Sequence, residues 1–486
     1  MFRKALNSFC NMARTPPKKP VIAVVGATGT GKSQLAVELA KRFHGEIINS
    51  DAMQLYEGLP VITNKHPIDE RAGIPHHLLG SIKLHEEPWT VTQFVGEALS
   101  VINDIHARGK VPILVGGTHY YIQSLLFNDS LSVEDETPDN KNPKAESQET
   151  FPILNQPPEI ILAKLREVDP VMADRWHPND IRKISASLEI YLRTGKTASQ
   201  TYEEQRQRAL PPDPHQKASL MRFPALILWP HASTETLRTR LDTRVDKMLA
   251  AGLLSEVASL HSFLEAQSAA DKPVDRTHGI WVSIGYKEFE AYQRATLDPS
   301  ASAADLVALK AEAVAKTQAA TRQYARRQLR WIRIKLLYAL AAAHQQDSIF
   351  LLDGTDLSRW EESVQKLALD LAERFLGGEE LPRPQSLSAV AAENLVLTKE
   401  FDARGDTEAR IRRVCEVCDM VCVTENNWTQ HVQSRRHKMR QKKQRERRRR
   451  EEGLVEGSAR PVQTLEGAQS QSTEDSEHGD FSKKET

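Results

Sequence analysis

The chain has 486 residues, 40% of them hydrophobic, and its 65 basic side chains balance 65 acidic ones. That is more chain than one ordinary domain needs, with apolar content enough for a buried core. No apolar run is long enough to span a bilayer as a helix, so no membrane partner is expected. The neutral total hides segregation, with bases crowding the N-terminus and residues 433–450 and acids crowding residues 129–149 and the final tail.

The opening MFRKALNSFCNMARTPPKKP carries Arg3, Lys4, Arg14, Lys18 and Lys19 and no acid. Over residues 1–19 this composition fits a mitochondrial transit segment and a plain basic leader equally well. Val21 to Val25 is a β-branched run that stops at Gly26-Ala27-Thr28-Gly29-Thr30-Gly31-Lys32-Ser33, a complete phosphate-loop signature, with a helix predicted over Ser33 to Phe43. Successive backbone N–H groups of such a loop curl around phosphate oxygens at a helix N-terminus. Lys32 adds a point charge and Ser33 a hydroxyl for Mg²⁺. The signature does not separate a triphosphate from a diphosphate.

Glu46 to Asp51 reads as a second strand ending in a carboxylate. Asp51 there either accepts a proton from a nucleophile or caps the short helix that follows. Gln54 and Tyr56 suit a nucleobase or plain packing. Val111 to Val115 reads as a third strand, turning sharply at Gly116-Gly117-Thr118-His119-Tyr120-Tyr121. That turn brings a hydroxyl and aromatics to a site or buries the tyrosines in the core. Ala225 to Trp229 and Ile349 to Leu352 complete the strands. Continuous apolar runs between helices predict parallel strands buried on both faces. The fold class is therefore α/β, a P-loop parallel-sheet core over residues 20–127 and 216–377, with ligands at the carboxyl ends of the strands.

Two excursions interrupt this core: an acidic, flexible loop over 128–150 and a helical insertion over 151–215. One long Ala-rich helix is predicted over 305–343. On it Arg322, Arg326, Arg330 and Arg333 share a face, with Arg327 and Trp331 beside it. Such a stripe is a solvated face by default and a phosphate-binding one if it meets a ligand.

A linker over 378–408 leads to Cys415-x2-Cys418-x12-His431-x5-His437, the spacing of a C2H2 zinc finger with a long gap between its histidines. A ββα-type finger over 409–440 is expected. Three of the 4 cysteines fall in this window, which points to metal rather than disulfides. Cys422 stands where such fingers ordinarily carry an aromatic and reads as a small buried hydrophobe. The rival reading, Cys422 as a zinc ligand, competes with a four-ligand set that is already closed. Residues 435–450 are expected to continue the finger's helix as a basic arm suited to phosphate contact or nuclear import. The tail over 441–486 is basic and then without periodicity. A chain with both a phosphate loop and a basic finger points to nucleic acid.

In this order, GATGTGKS, DAMQLYEGLPVITNK, VGGTHYYIQSLL, HPNDIRKISASLEIYLRTGK, RLDTRVDKMLAAGLL, GIWVSIGYKEF and TRQYARRQLRWIR resemble the blocks of the tRNA dimethylallyltransferases (tRNA isopentenyltransferases), in the eukaryotic form with a C-terminal finger. The resemblance runs from about Val21 to Leu376 and resumes at the finger. It implies transfer of a dimethylallyl group from dimethylallyl diphosphate to N6 of adenosine 37 in the anticodon stem-loop of tRNAs that read U-initial codons. The phosphate loop then holds the donor's diphosphate, and no triphosphate is cleaved.

By the same resemblance, Asp51 is the general base and Thr28 sits near the scissile C–O bond. Gly26, Ala27, Thr28, Gly29, Thr30, Gly31, Lys32 and Ser33 hold the diphosphate, with Mg²⁺ on Ser33 and Arg322 as a further diphosphate partner. Asp51, Ala52, Met53 and Gln54 meet the flipped adenine. Thr118 with Asn179, Asp180, Ile181, Arg182 and Lys183 contacts the anticodon loop. Cys415, Cys418, His431 and His437 hold Zn²⁺. A monomer is expected, acting in the mitochondrion and cytoplasm, with the nucleus as a further compartment. Ala52 and His119 depart from the family pattern, and the acidic 128–150 loop looks peculiar to this chain. Two rival functions fit parts of the sequence: a P-loop small-molecule kinase and a non-catalytic RNA-binding protein.

Overall fold

The structure, a computed structural model, describes residues 15–127, 151–209, 221–272, 274–397 and 412–456. Most of the basic leader, the acidic 128–150 loop, the end of the linker and the last part of the tail lie outside the described residues. The chain forms two compact units, Met1–Ala173 with Pro178–Thr407, and Asp174–His177 with Glu408–Thr486.

The first unit is built on six parallel strands: β1 (Val21–Val24), β2 (Gly45–Asn49), β3 (His76–His77), β4 (Val111–Val115), β5 (Ala225–His231) and β6 (Ile349–Asp353), in the order β3-β2-β4-β1-β5-β6. The short β3 is an addition to the strands expected from the sequence. Its two histidines carry no apolar run to reveal it. Alternation along β1 explains why the runs are apolar throughout. Val21 and Ala23 join one core, while Ile22 and Val24 join another on the opposite face.

The second of these cores is covered by α1 (Lys32–Phe43) and, near the C-terminus, α13 (Leu367–Gly377). The first is covered by α2 (Val91–Ala107) and α3 (His119–Leu126), and by later helices. The expected helical insertion contains α4 (Pro158–Val168), α5 (Pro170–Arg175), α6 (Ile181–Thr194) and α7 (Ala198–Ala209). Ile161 and Leu165 of α4 and Ile184, Leu188 and Ile190 of α6 are among its buried apolar residues. The buried Asp169 accepts from Met172 N at 3.2 Å and Ser199 N at 2.8 Å, tying two helix starts together.

After β5 come α8 (Thr234–Ala250), α9 (Leu253–Ala269), α10 (Tyr286–Thr296) and α11 (Ala303–Trp331). The last begins at a Ser302–Asp305 capping box and runs through a π turn, Ile332–Leu336, into α12 (Leu337–Ala342). This is the long helix expected over 305–343, with a bulge in it. The short α14 (Ala389–Asn394) lies within the expected linker and buries Ala391 in the core, as does Leu395 just after it.

In the second unit, β7 (Arg413–Val414) pairs antiparallel with β8 (Val421–Cys422), followed by α15 (Glu425–Gln433) and α16 (Arg435–Glu456). The ββα unit is as expected, but the basic arm does not continue the finger's helix. The helix breaks at Ser434, whose ψ of 146° is extended. On an unbroken helix His431 and His437, six positions apart, would point about 120° away from each other. The break lets both turn to one point.

Candidate active site and zinc centre

The carboxyl ends of β1, β2 and β4 bring three turns together. The phosphate loop after β1 needs its glycines. Gly26 has φ 141°, where a Cβ would lie 2.8 Å from Pro230 O, and Gly31 has φ 82°, where a Cβ would lie 2.4 Å from the Trp360 ring. The loop is held by side chains far away in sequence. Gly26 N donates to His119 Nε2 at 3.1 Å, Thr28 N donates to Gln328 Oε1 at 2.7 Å, and Arg244 donates to the Thr28 hydroxyl. Burial, reinforced by Lys32, lowers the His119 imidazole to about 3, so it stays the neutral acceptor that this bond requires.

Lys32 Nζ donates to Ala27 O at 2.7 Å. Burial lowers this ammonium to about 7, Asp51 acting against that fall and Arg244 with it. Burial likewise lowers Arg244 to about 10.

Asp51 lies just past β2. Asn49 clasps its backbone, accepting from Asp51 N at 3.0 Å and donating to Asp51 O at 3.1 Å. Oδ1 accepts from Met53 N at 3.1 Å, an Asx turn ahead of the short 3-10 helix Met53–Leu55, whose N-cap is Ala52 and not Asp51. Oδ2 faces Gly117, where a Cβ would lie 2.6 Å from it. Burial raises the carboxyl, while the Met53 and Gly117 N–H groups, Lys32 and Arg244 pull it back toward ionisation. The preceding Gly116 is as constrained, since a Cβ there would come within 2.2 Å of Ser50 C and O.

These turns enclose a cleft of about 720 Å³, lined by Thr28, Gly29, Gly31, Lys32, Ser33, Asp51, Ala52, Met53, Gln54 and Thr118, and by residues of later helices. Of the other phosphate-loop residues, Ala27 packs in an apolar cluster with Leu237 and Leu241, and Thr30 Oγ1 donates inward to Ala27 O. The Thr118 hydroxyl accepts from Ala52 N at 3.0 Å, and Gln54 Nε2 donates to Asn64 O at 3.0 Å. Tyr121 is core, its hydroxyl donating to Trp89 O at 3.0 Å. Tyr120 packs beside Trp331.

Of the Asn179 to Lys183 stretch, Arg182 lines a second cleft of about 310 Å³ together with Tyr56, Trp89 and His278. Ala52 and Met53 line both clefts. Lys183 lies 3.6 Å from Asp180, and Ile181 is exposed.

Arg322 is placed differently from expectation. It pairs with Asp242 of α8 and does not line the cleft. The face of α11 that does line it carries Thr317, Thr321, Tyr324 and Gln328, with Arg327 at its edge. The arginine stripe of Arg326, Arg330 and Arg333 is exposed. Sequence reasoning thus missed Arg244, Tyr324 and Gln328. The traces were there: Arg244 interrupts the apolar face Leu237, Leu241, Val245 of α8, and the four polar residues of α11 recur at steps of four, three and four.

In the finger, ligand atoms of Cys415, Cys418, His431 and His437 lie within 4.8 Å of one another. His437 Nδ1 is 3.1 Å from His431 Nε2 and 3.5 Å from Cys415 Sγ. Two thiols and two imidazoles converging in this way form a structural zinc site. Cys422 is outside the set and buried in β8 at 3% exposure, which raises its thiol and fits the hydrophobe reading. Arg413 covers Trp428 at 5.5 Å.

Residues 54–335 match the family described as IPP transferase, and residues 413–437 the zinc finger of C2H2 type. The chain is similar to the tRNA dimethylallyltransferase of Schizosaccharomyces pombe, 37% identical over 435 residues that cover 86% of this chain and 94% of that protein. It is 33% identical over 430 residues to the tRNA dimethylallyltransferase of Homo sapiens, covering 86% and 85%. Among solved structures it resembles a eukaryotic dimethylallyltransferase captured acting on tRNA, with TM-score 0.72 and 35% identity over 90% of this chain and 99% of that one.

Proposed function

The chain belongs to the tRNA dimethylallyltransferase family, and we propose that it transfers a dimethylallyl group from dimethylallyl diphosphate to a tRNA adenosine in the cleft above β1, β2 and β4. One observation carries the assignment of roles: the phosphate loop with its buried cations and the Asp51 carboxylate face a single cavity. The acceptor is N6 of adenosine 37 in tRNAs that read U-initial codons. The products are N6-isopentenyladenosine and diphosphate.

The donor's diphosphate rests on the phosphate loop, with Lys32 and Arg244 opposing its charge. As the allylic C–O bond breaks, the carbon becomes positive and the leaving oxygen negative, so cations fixed at the leaving group lower the barrier. The Thr28 hydroxyl, oriented by Arg244, donates to that oxygen. The adenine amine is a weak nucleophile. Asp51 takes its proton as the N6–carbon bond forms, and burial keeps this carboxylate basic enough to do so. Reaching N6 requires the base to leave its stack, and Ala52, Met53 and Gln54 are where it lands. Arg182 and Thr118 are assigned to the surrounding anticodon loop, and Mg²⁺, bound through Ser33, would add charge neutralisation at the diphosphate. The residues assigned here all lie on one chain, which supports the reading that a monomer suffices. Arg322, engaged with Asp242, is reassigned from donor binding to support of α11 on α8. The composition of the basic leader supports assignment to the mitochondrion and cytoplasm, and the basic arm supports the nucleus. Fusion of residues 1–19 to a reporter tests the first.

The test incubates an anticodon stem-loop with labelled dimethylallyl diphosphate or labelled ATP. Label reaching RNA only from the prenyl donor supports the reading over the kinase. Asp51→Asn should bind donor and RNA nearly normally and lose transfer by roughly 10²–10⁴-fold. Full turnover in that variant removes Asp51 from the base role and favours another proton acceptor.

A further inference from the structure

Gln328, in α11, is 4% exposed and lies outside every turn that forms the floor of the cleft. Its carboxamide nevertheless spans two of them. Oε1 accepts from Thr28 N at 2.7 Å, after β1, and Nε2 donates to Gly117 O at 2.9 Å, after β4. One partner is an N–H and the other a C=O, so the chemistry of the partners fixes which way the amide points. Tyr324, one turn earlier, donates to the same Gly117 carbonyl at 3.2 Å.

Gly117 is the link to the acid. Its backbone packs against the Asp51 carboxylate and draws it toward ionisation, and a Cβ at this position would lie 2.6 Å from both Asp51 Oδ2 and Gln328 Nε2. Thr28 is the link to the leaving group, and its hydroxyl is held by Arg244. A continuous path therefore runs Thr28, Gln328, Gly117, Asp51. β1 and β4 are neighbours, with Val24 opposite Val115, so the roots of the two turns are fixed by the sheet. His119 secures the loop only at its first residue, Gly26. The tips where chemistry occurs need a separate brace, because a displacement of about 1 Å between reacting groups can cost about 10²-fold in rate.

We propose that Gln328 is a positioning residue that fixes the separation between the leaving-group grip at Thr28 and the proton acceptor at Asp51. The inference rests on the roles given to those two residues above. Gln328 lines the cleft, but both of its amide atoms are engaged by the turns, so in this scheme it acts through them. It holds the two turns in register.

Two variants test it in the full-length protein, with dimethylallyl diphosphate and an anticodon stem-loop. Gln328→Met keeps the volume and removes both bonds. It should reduce kcat/KM at least tenfold, the rough equivalent of two lost hydrogen bonds, with most of the loss in kcat. Gln328→Glu is the more discriminating variant. Its carboxylate faces the Gly117 carbonyl and repels it. Its protonated acid instead accepts from Thr28 N and donates to Gly117 O, as the amide does. The activity of Gln328→Glu relative to wild type should therefore climb as pH falls, while that of Gln328→Met stays level. Lys32, Asp51, His119, Arg244 and Tyr324 surround the amide and titrate in both proteins, so the ratio isolates residue 328.

A purely structural role would lower Tm while leaving kcat per folded molecule unchanged, and that result overturns the proposal. So does a Gln328→Glu ratio independent of pH, which remains measurable even if Gln328→Met does not fold. Absence of transfer by the wild-type protein would instead refute the functional reading itself.

Discussion

Burial in the phosphate loop holds the Lys32 ammonium at about 7, far below the ordinary 10.5 of a lysine. Between those two values the free enzyme lacks a proton that an exposed lysine would hold. A diphosphate beside the amine favours its charged form, so donor binding restores the missing proton. With a free-state value of about 7, roughly one-tenth of the protein is protonated at pH about 8. Binding then takes up close to 0.9 proton per donor, falling to about 0.1 at pH about 6. Linkage requires the donor Kd to rise approximately tenfold per pH unit once pH exceeds this value. Titration calorimetry in buffers of different ionisation enthalpy reads the uptake directly as the slope of apparent enthalpy against buffer enthalpy. Lys32→Arg carries its charge throughout this range and should show almost none. Zero uptake by the wild-type protein at pH about 8, or equal uptake by Lys32→Arg, would refute the argument that Lys32 is a desolvated cation awaiting an anion.

Other substitutions separate the site from its surroundings. Gly117→Ala drives a methyl into Asp51 and Gln328; it should cost about 1–3 kcal/mol of stability and roughly 10²-fold in transfer, measured by melting and single-turnover rates. Arg244→Ala should raise the donor KM by roughly 10–100-fold through loss of a charged hydrogen bond. Arg322→Ala, by contrast, breaks a part-buried pair with Asp242; it should leave donor KM unchanged and cost about 1 kcal/mol, and a matching rise in KM would restore Arg322 to the donor site. Removing zinc with a chelator, or replacing Cys418 with Ser, should unfold the finger without lowering the Tm of the sheet domain. RNA affinity should weaken while its salt dependence changes little, because the basic residues of α16 remain. Filter binding across a salt series reads both.

Local chemistry was legible from the order of residues. The phosphate loop is eight consecutive positions whose glycines, Lys32 and Ser33 can do little else after a β-branched strand, and the finger's ligand spacing closes a metal site wherever it occurs. Apolar runs gave the five longer strands and their parallel sense, because a strand covered on both faces cannot alternate. Two-residue β3 left no such trace, and the helix break at Ser434 follows only from requiring His431 and His437 to reach one ion.

The sheet decided what sequence separation concealed. His119, Arg244 and Gln328 lie 93, 216 and 300 residues from their phosphate-loop partners, and no local pattern specifies such a pairing. Periodicity on α11 says which residues share a face but not which face turns inward. The arginine stripe stayed the solvated face that such a pattern is by default, and the threonines, Tyr324 and Gln328 turned inward. A neutral side chain can be buried against the turns at modest cost once its hydrogen bonds are met, whereas further guanidinium groups packed beside the already buried Arg244 would each lose hydration next to a like charge. The face of α11 that reaches the chemistry was therefore set by desolvation within the folded core.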